Sequence, residues 1–364
     1  MNNLGLTLES AGKLQEAEEI QRQALAAQQA VLGDKHPDTL ISMINLGSIL
    51  KTAGKLQEAE EIERQVLAAQ QAVLGDKHPD TLISMNNLGS TLESAGKLQE
   101  AEEIQRQALA ARQAVLGDKH PSTLISMNNL GLTLRSAGKL QEAEEIQKQV
   151  LATQQAVLGD HHRSTLTGMN NLGLTLESAG KLQEAEEIQR QALAAQQAVL
   201  GDKHPDTLIS MNNLGLTLRS AGKLQEAEEI QRQVLAAQQA VLGDKHPDTL
   251  ISMNNLGSIL ETAGKLQEAE EIQRQALAAQ QAVLGDKHPS TLNSMNNLEL
   301  TLRSAGKLQE AEEIQRQALA AQQAVLGDKH PDTLISMINL GSIFKNAGKL
   351  QEAEEIQRQF PNIQ

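Results

Sequence analysis

MNNLGLTLESAGKLQEAEEIQRQALAAQQAVLGDKHPDTLIS, residues 1–42, returns unchanged at residues 169–210. Diverged copies begin at Met43, Met85, Met127, Met211, Met253 and Met295, and a shortened one at Met337. The repeats are therefore 1–42, 43–84, 85–126, 127–168, 169–210, 211–252, 253–294 and 295–336, with a partial copy at 337–364. A fixed period of this length marks a repeat array, not the two or three globular domains that 364 residues would otherwise suggest. We expect one solenoid body over 1–364.

Each copy reads as two helices. Leu40, Met43, Leu46 and Leu50 are spaced three, three and four apart, a helical stripe. His36-Pro37-Asp38 precedes it, with Pro suited to the first helical position and Asp to the positive helix end. Helix A is expected from about Pro37 to Thr52, stopping at the Gly that follows. In helix B of the first copy, Leu14, Ala17, Ile20, Ala24 and Val31 hold the apolar face, widened by Leu25 and Leu32. Glu16, Glu18 and Glu19 crowd its first turn, Arg22 pairs with Glu18 four residues back, and Gly33 closes it. One such pair cannot bury its apolar face alone, so copies must stack on their neighbours. Gly5, Ala17 and Ala24 are small enough to let the helix axes approach closely.

Composition excludes several functions. The net charge of −14 argues against a phosphate-binding groove, and Trp and Tyr are absent, leaving no platform for base stacking. Phe344 and Phe360 are the aromatic residues. Without cysteine there are no disulfides, thiolate metal sites or Cys nucleophile, which fits a reducing compartment. No signal peptide and no apolar run near the ~18 residues of a membrane span is present, so we expect a cytoplasmic protein that meets neither nucleic acid nor membrane.

The order NLG-x-x-L-x-x-A-G-K-L-x-E-A-E-x-x-x-x-x-A-L resembles the tetratricopeptide repeat, with Leu4, Gly5, Leu8, Gly12, Ala17, Ala24 and Leu25 on that family's positions. The added stretch AAQQAVLGDKHPDT is similar to the 42-residue repeats of kinesin light chains, and to sensor arrays of nucleotide-binding signalling proteins. The resemblance implies an all-α, right-handed superhelical solenoid of antiparallel helix pairs, serving as a protein- or peptide-binding scaffold. Met1, Leu8, Leu14 and Gln21 stand where the family favours aromatic or bulky side chains, so aromatic pockets are not carried over.

The copies differ mainly in helix A. Numbering within the 42-residue unit, position 9 reads Glu9, Lys51, Glu93, Arg135, Glu177, Arg219, Glu261, Arg303 and Lys345, alternating in sign until the final copy. With neighbouring A helices side by side, this row forms a ladder of opposite charges. Positions 41, 2, 6 and 9 make one stripe beside the core stripe. In the family that stripe lines the concave groove, and its Asn residues bond a bound peptide's backbone. The resemblance thus nominates Asn45, Asn86, Asn87, Asn128, Asn129, Asn170, Asn171, Asn212, Asn213, Asn254 and Asn255, with Ser90, Glu93, Arg135, Glu177, Arg219 and Arg303 setting side-chain preference. The competing reading is structural: a self-paired charge row of low value per pair, and Asn rows bonded between adjacent helices.

No chemistry is expected. Ala11-Gly12-Lys13-Leu14 lacks the P-loop spacing and the Ser or Thr that must bind magnesium. His36 recurs once per loop, copies ~10 Å apart, too far for one metal whose ligands lie ~2 Å away. His161-His162 lacks carboxylate support, and no nucleophile–base–orienter set is present, so no catalytic residue, cofactor or metal is assigned. Residues 160–168, DHHRSTLTG, form the most degraded junction: Arg163 replaces the helix-starting Pro and Gly168 lies inside helix A. A soft joint is expected there. Glu299 replaces a close-packing Gly, which predicts a local shift or a side chain turned to water. The ends lack polar caps; Phe344 and Phe360 are expected to pair as a partial seal, or the ends to stack head to tail. The start within helix A suggests a piece of a longer protein. Besides the scaffold, a sensor array of a larger signalling protein and a self-associating rod remain as readings.

Overall fold

The computed structural model describes residues 2–10, 13–328 and 330–358. Among them are eighteen α-helices and no strands. The A helices are α1 (Asn2–Ser10), α3 (Pro37–Thr52), α5 (Pro79–Ser94), α7 (Pro121–Ser136), α9 (Arg163–Ser178), α11 (Pro205–Ser220), α13 (Pro247–Thr262), α15 (Pro289–Ser304) and α17 (Pro331–Asn346). The B helices are α2 (Leu14–Leu32), α4 (Leu56–Leu74), α6 (Leu98–Leu116), α8 (Leu140–Leu158), α10 (Leu182–Leu200), α12 (Leu224–Leu242), α14 (Leu266–Leu284), α16 (Leu308–Leu326) and α18 (Leu350–Arg358). The chain divides into two compact units, Met1–Ala221 and Gly222–Gln364. Within each, every helix packs on the next, and several A helices also touch the following A helix, as α5 does α7 and α13 does α15.

The helix borders follow from local chemistry. Pro sits in the first turn of α3 and the cap residue His36 is extended, as a chain entering a helix must be. Gly54 in the A–B turn has φ +74°, a conformation that side-chain-bearing residues resist. Gly33 ends α2 with φ 83° and ψ 168°, a region essentially reserved for glycine, while its N–H still donates to Gln29 O.

The core lies between the two helix layers. In Met1–Ala221, Leu82, Met85, Leu88 and Leu92 of α5 meet Leu67 of α4 and Ala101 and Ala108 of α6. In Gly222–Gln364, Leu250, Met253, Leu256 and Leu260 meet Leu235, Ala269 and Ala276 in the same way. Close A–B approach depends on position 5. A methyl group on Gly89 would fall 2.7 Å from Gln105 Cγ, and one on Gly257 only 2.5 Å from Gln273 Cγ. The position-21 glutamine packs across that bare backbone, and in some copies its amide also reaches the next A helix, as Gln21 Nε2 donates to Ser42 O at 3.1 Å and Gln315 Nε2 to Ser336 O at 3.0 Å.

Four expectations need comment. Val31 is 81% exposed rather than on the buried face, and Leu32 is 40% exposed. Helix B is three residues longer than helix A (19 against 16), so its last turn overhangs the packed layer. Glu299 is 0% exposed, not turned to water. α9 keeps the regular 16-residue length despite Arg163, and Gly168 leaves room for the Gln154 amide, whose oxygen lies 2.5 Å from where a methyl would be. Phe360 lies outside the described residues; Phe344 is buried, with the Arg316 guanidinium 5.3 Å from its ring centre.

Candidate functional site

Each long A helix opens on a histidine whose ring, not a Ser or Asp, caps it. Asp38 N donates to His36 Nδ1 at 3.2 Å, and Ser122 N to His120 Nδ1 at 3.1 Å. An accepting Nδ1 requires a neutral ring with its proton on Nε2. The recurrence of His was visible in the sequence, but its role as cap was not. Among the described residues no group of three or more His, Asp or Glu could hold a metal ion.

The nominated asparagines separate into two populations. The first of each pair, at position 2, is turned into the seam between A helices. Asn86 Nδ2 donates to Ser126 Oγ at 3.1 Å, Asn170 to Ser210 and Asn254 to Ser294 at 2.5 Å. These three are 6–7% exposed. Asn212 also has a partner. Asn128 differs because Gly168 stands where the next copy would supply Ser: its side chain makes no hydrogen bond among the described residues, whereas Asn170 and Asn254 leave only Oδ1 without a partner.

The second asparagine, at position 3, behaves otherwise. Asn45, Asn87, Asn129, Asn171, Asn213 and Asn255 are partly exposed, and their side chains make no hydrogen bond among the described residues. One turn before each lies an isoleucine at position 41, except where Thr167 precedes Asn171. Ile83, Ile125 and Ile209 are 48%, 56% and 53% exposed. The face thus offers amide groups beside aliphatic ones, free of internal bonds. In Gly222–Gln364 these residues line a depression of about 520 Å³, with Ile251, Asn254, Asn255, Asn297 and Ile335 in its wall.

The position-9 row is closed mainly by hydroxyls. Glu93 accepts from Thr133 Oγ1 at 3.0 Å and Ser136 Oγ at 2.7 Å, both one copy on. Glu177 accepts from Ser220 at 2.9 Å, and Glu261 from Ser304 at 2.7 Å. Lys51 donates to Ser90, and Arg303 to Ser342 at 2.9 Å. Arg219 has a partner as well. Arg135 has none among the described residues.

Direct ion pairing runs mainly along helix B, the A helices adding Arg163 of α9 with Asp206 of α11 at 2.7 Å. Arg22 meets Glu18 at 3.0 Å, as its spacing predicts, and also Glu58 of the next copy at 2.5 Å, while Lys55 returns to Glu18 at 2.8 Å. Arg106, Glu102, Glu142 and Lys139 repeat the motif, as do Arg232, Glu228, Glu268 and Lys265. Burial alone would raise the Glu18, Glu102 and Glu228 carboxyls; hydrogen bonds from the Lys and then the Arg override it and hold them below the usual range. These cross-copy pairs give the recurring Lys, Glu and Arg of helix B a structural role. They were missed in the sequence because their partners lie 36 or 37 residues apart.

No helix among the described residues is long and apolar enough to cross a membrane. The tetratricopeptide repeat model matches residues 1–72, 64–114, 90–156, 134–198, 164–240, 217–282, 255–324 and 300–359. No curated protein matches the chain. Among solved structures, it is similar to the nearly identical TPR-like repeats of a putative kinesin light chain from Podosopora anserina, at 35% identity over 56% of this chain and 97% of that one, TM-score 0.47. It is also similar to BtubC (BKLC) from P. vanneervenii, at 22% identity over 64% and 91%, TM-score 0.48. A Rap protein complexed with competence and sporulation factor shares the fold at 13% identity over 96% and 98%, TM-score 0.55. With repeat matches tiling residues 1–359, the chain belongs to the tetratricopeptide repeat family.

Proposed function

We propose that this chain is a scaffold that binds a protein through an extended segment laid along the exposed A-helix face, in the cytoplasm. The observation that supports this most is the division of the asparagines. Asn86, Asn170 and Asn254 at position 2 tie neighbouring helices together, whereas Asn87, Asn129, Asn171 and Asn213 keep amide donors and acceptors open beside exposed Ile83, Ile125 and Ile209. An extended segment presents backbone N–H and C=O groups that need such partners, and aliphatic side chains that gain by burial there.

Selection of phage-displayed random dodecapeptides on the intact chain tests the proposal. Binders are expected, and their affinity should fall several-fold in a combined Asn87→Ala, Asn129→Ala, Asn171→Ala variant. Recovery of no binding sequence, or binders indifferent to all three substitutions and to Ile125→Ser, would refute it.

A further inference from the structure

The two halves of each B helix in Met1–Ala221 differ in kind. In α2, α4, α8 and α10 every charged residue falls in the first half, where the cross-copy links run, and the last nine residues carry no charge, as in VLAAQQAVL at 66–74. In α6 that stretch holds Arg112, which is buried and donates to Ser122 O and Ser126 Oγ. The uncharged half ends in an apolar ridge open to solvent. Val31, Val73, Val115, Val157 and Val199 are 52–81% exposed, each preceded by an exposed alanine. Leu32, Leu74 and Leu116 beside them are 38–42% exposed. In Gly222–Gln364 the matching Val283 and Val325 are half-buried.

The loop after each ridge adds charges that the chain itself does not use. Asp34 and Lys35 are exposed, as are Asp76 and Lys77, Asp118 and Lys119, and Asp202 and Lys203. None of these eight has an ion pair or side-chain hydrogen bond among the described residues, whereas the Lys, Glu and Arg of the helix-B links are paired. The fourth loop carries Asp160 and His161, with Asp160 accepting from Gln155. A ridge flanked in this way is complementary to itself. A second copy turned about a two-fold axis offers the same spacing in reverse, and nearly every loop brings both a lysine and an aspartate. With helix pairs repeating about every 10 Å, the two rows stay in step along their length.

We propose that two copies of this chain associate side by side through these ridges, running in opposite directions about a two-fold axis at Val115. Val73 then meets Val157 of the second copy, and Val31 meets Val199. At the rim, Lys119 meets Asp118 of the second copy and Lys35 meets Asp202. A half-exposed valine, a partly exposed leucine and an alanine offer ~150 Å² of apolar surface per repeat, scaled from the area a fully buried aliphatic side chain removes from water. Five repeats give ~750 Å², close to the ~800 Å² per partner of a standard stable interface. The chain's charge of −14 opposes association elsewhere, but not across an uncharged strip. The rim pairs set register more than strength. The contact lies on the B helices, so it leaves the A-helix face open on both copies and stands independently of the scaffold reading.

Sedimentation equilibrium of the intact chain, from micromolar to submillimolar concentration, tests the proposal. Its mass should rise to twice 39.3 kDa and stop there. A combined Val73→Glu, Val115→Glu, Val157→Glu variant should raise the dimer dissociation constant about a hundredfold or more, because it buries unpaired carboxylates. The three sites are exposed and glutamate favours helix, so the variant folds, which circular dichroism checks. Ile125→Ser, on the A-helix face, should change nothing. Lys119→Asp should weaken the dimer several-fold, and adding Asp118→Lys should restore it. Because the chain has no cysteine, disulfide cross-linking reads the register directly. Val115→Cys should link to itself, Val73→Cys should not, and Val73→Cys mixed with Val157→Cys should. A monomer at every concentration, a mass that climbs past the dimer, a dimer that survives the triple variant, or any other cross-linking pattern would overturn the proposal.

Discussion

Glu299→Gln should stabilise Gly222–Gln364, and only above mildly acidic pH. Glu299 is 0% exposed at a position where the other copies carry glycine, and neither carboxyl oxygen has a hydrogen-bond partner. Arg303 Nε approaches Oε1 to 3.3 Å, near enough for ionic attraction but not aligned as a hydrogen bond. Burial pushes the carboxyl above its usual range, and Arg303 only partly restrains it. A carboxyl raised on folding is neutral in both states at low pH, so no penalty exists there. Stability is lost as pH rises through the folded-state value, and the loss persists above it. Leaving a buried group without partners costs ~1–3 kcal/mol, more for a charge, and Arg303 offsets part. Glu299→Gln keeps the shape and removes the charge, so it should gain roughly 1–3 kcal/mol at pH 8 and almost nothing at pH 4. Urea unfolding followed by circular dichroism at both pH values measures the difference, and hydrogen exchange locates it to α15 and α16, since repeat arrays need not unfold as one. An equal difference at the two pH values, or a less stable glutamine variant at pH 8, would refute the argument.

Three further outcomes are expected. Gly257→Ala should cost about 1–3 kcal/mol in urea unfolding because its methyl falls 2.5 Å from Gln273 Cγ, whereas Gly341→Ala, with Ile356 at 3.8 Å, should be neutral or stabilising. Asn254→Ala should cost about 0.5–1.5 kcal/mol through the lost bond to Ser294, whose hydroxyl keeps Gln280 Oε1 and Ser290 O as partners, while Asn255→Ala should stay within about ±0.5 kcal/mol by the same assay. Burial holds the His330 ring below its usual range despite Asp332 beside it, so the unfolded chain protonates first and stability should fall as pH drops below the ordinary histidine value of 6.5. His330→Asn, which caps without titrating, should flatten that slope in thermal melts across pH 5–7.

Helix placement was almost wholly legible because its causes are local. Pro37 and the glycine after Ala53 bracket α3 at the borders expected for it, and the Leu40–Leu50 stripe is the observed core. Val31 failed because periodicity tells which face a residue takes, not whether a partner reaches that far along the helix. The proposed binding face was legible only as a pair of asparagine rows. Which row is structural depends on Ser126, Ser210 and Ser294, roughly one repeat away, so composition along one helix cannot separate Asn86 from Asn87. Reading the chain at offsets of 36 to 43 residues would have exposed both these seams and the Arg22–Glu58 links.

The Lys–Glu–Arg–Glu links on helix B have a further bearing on how such a gene can change. These links connect the same positions in successive copies, so inserting or excising whole 42-residue blocks keeps the pairing phase of helix B. Unequal crossing-over would therefore lengthen or shorten the protein without creating a foreign surface. An exchange out of phase would draw the lysine and arginine at that junction off their glutamate partners. Drift in copy number, with phase held fixed by electrostatics, is the variation this architecture permits among close relatives.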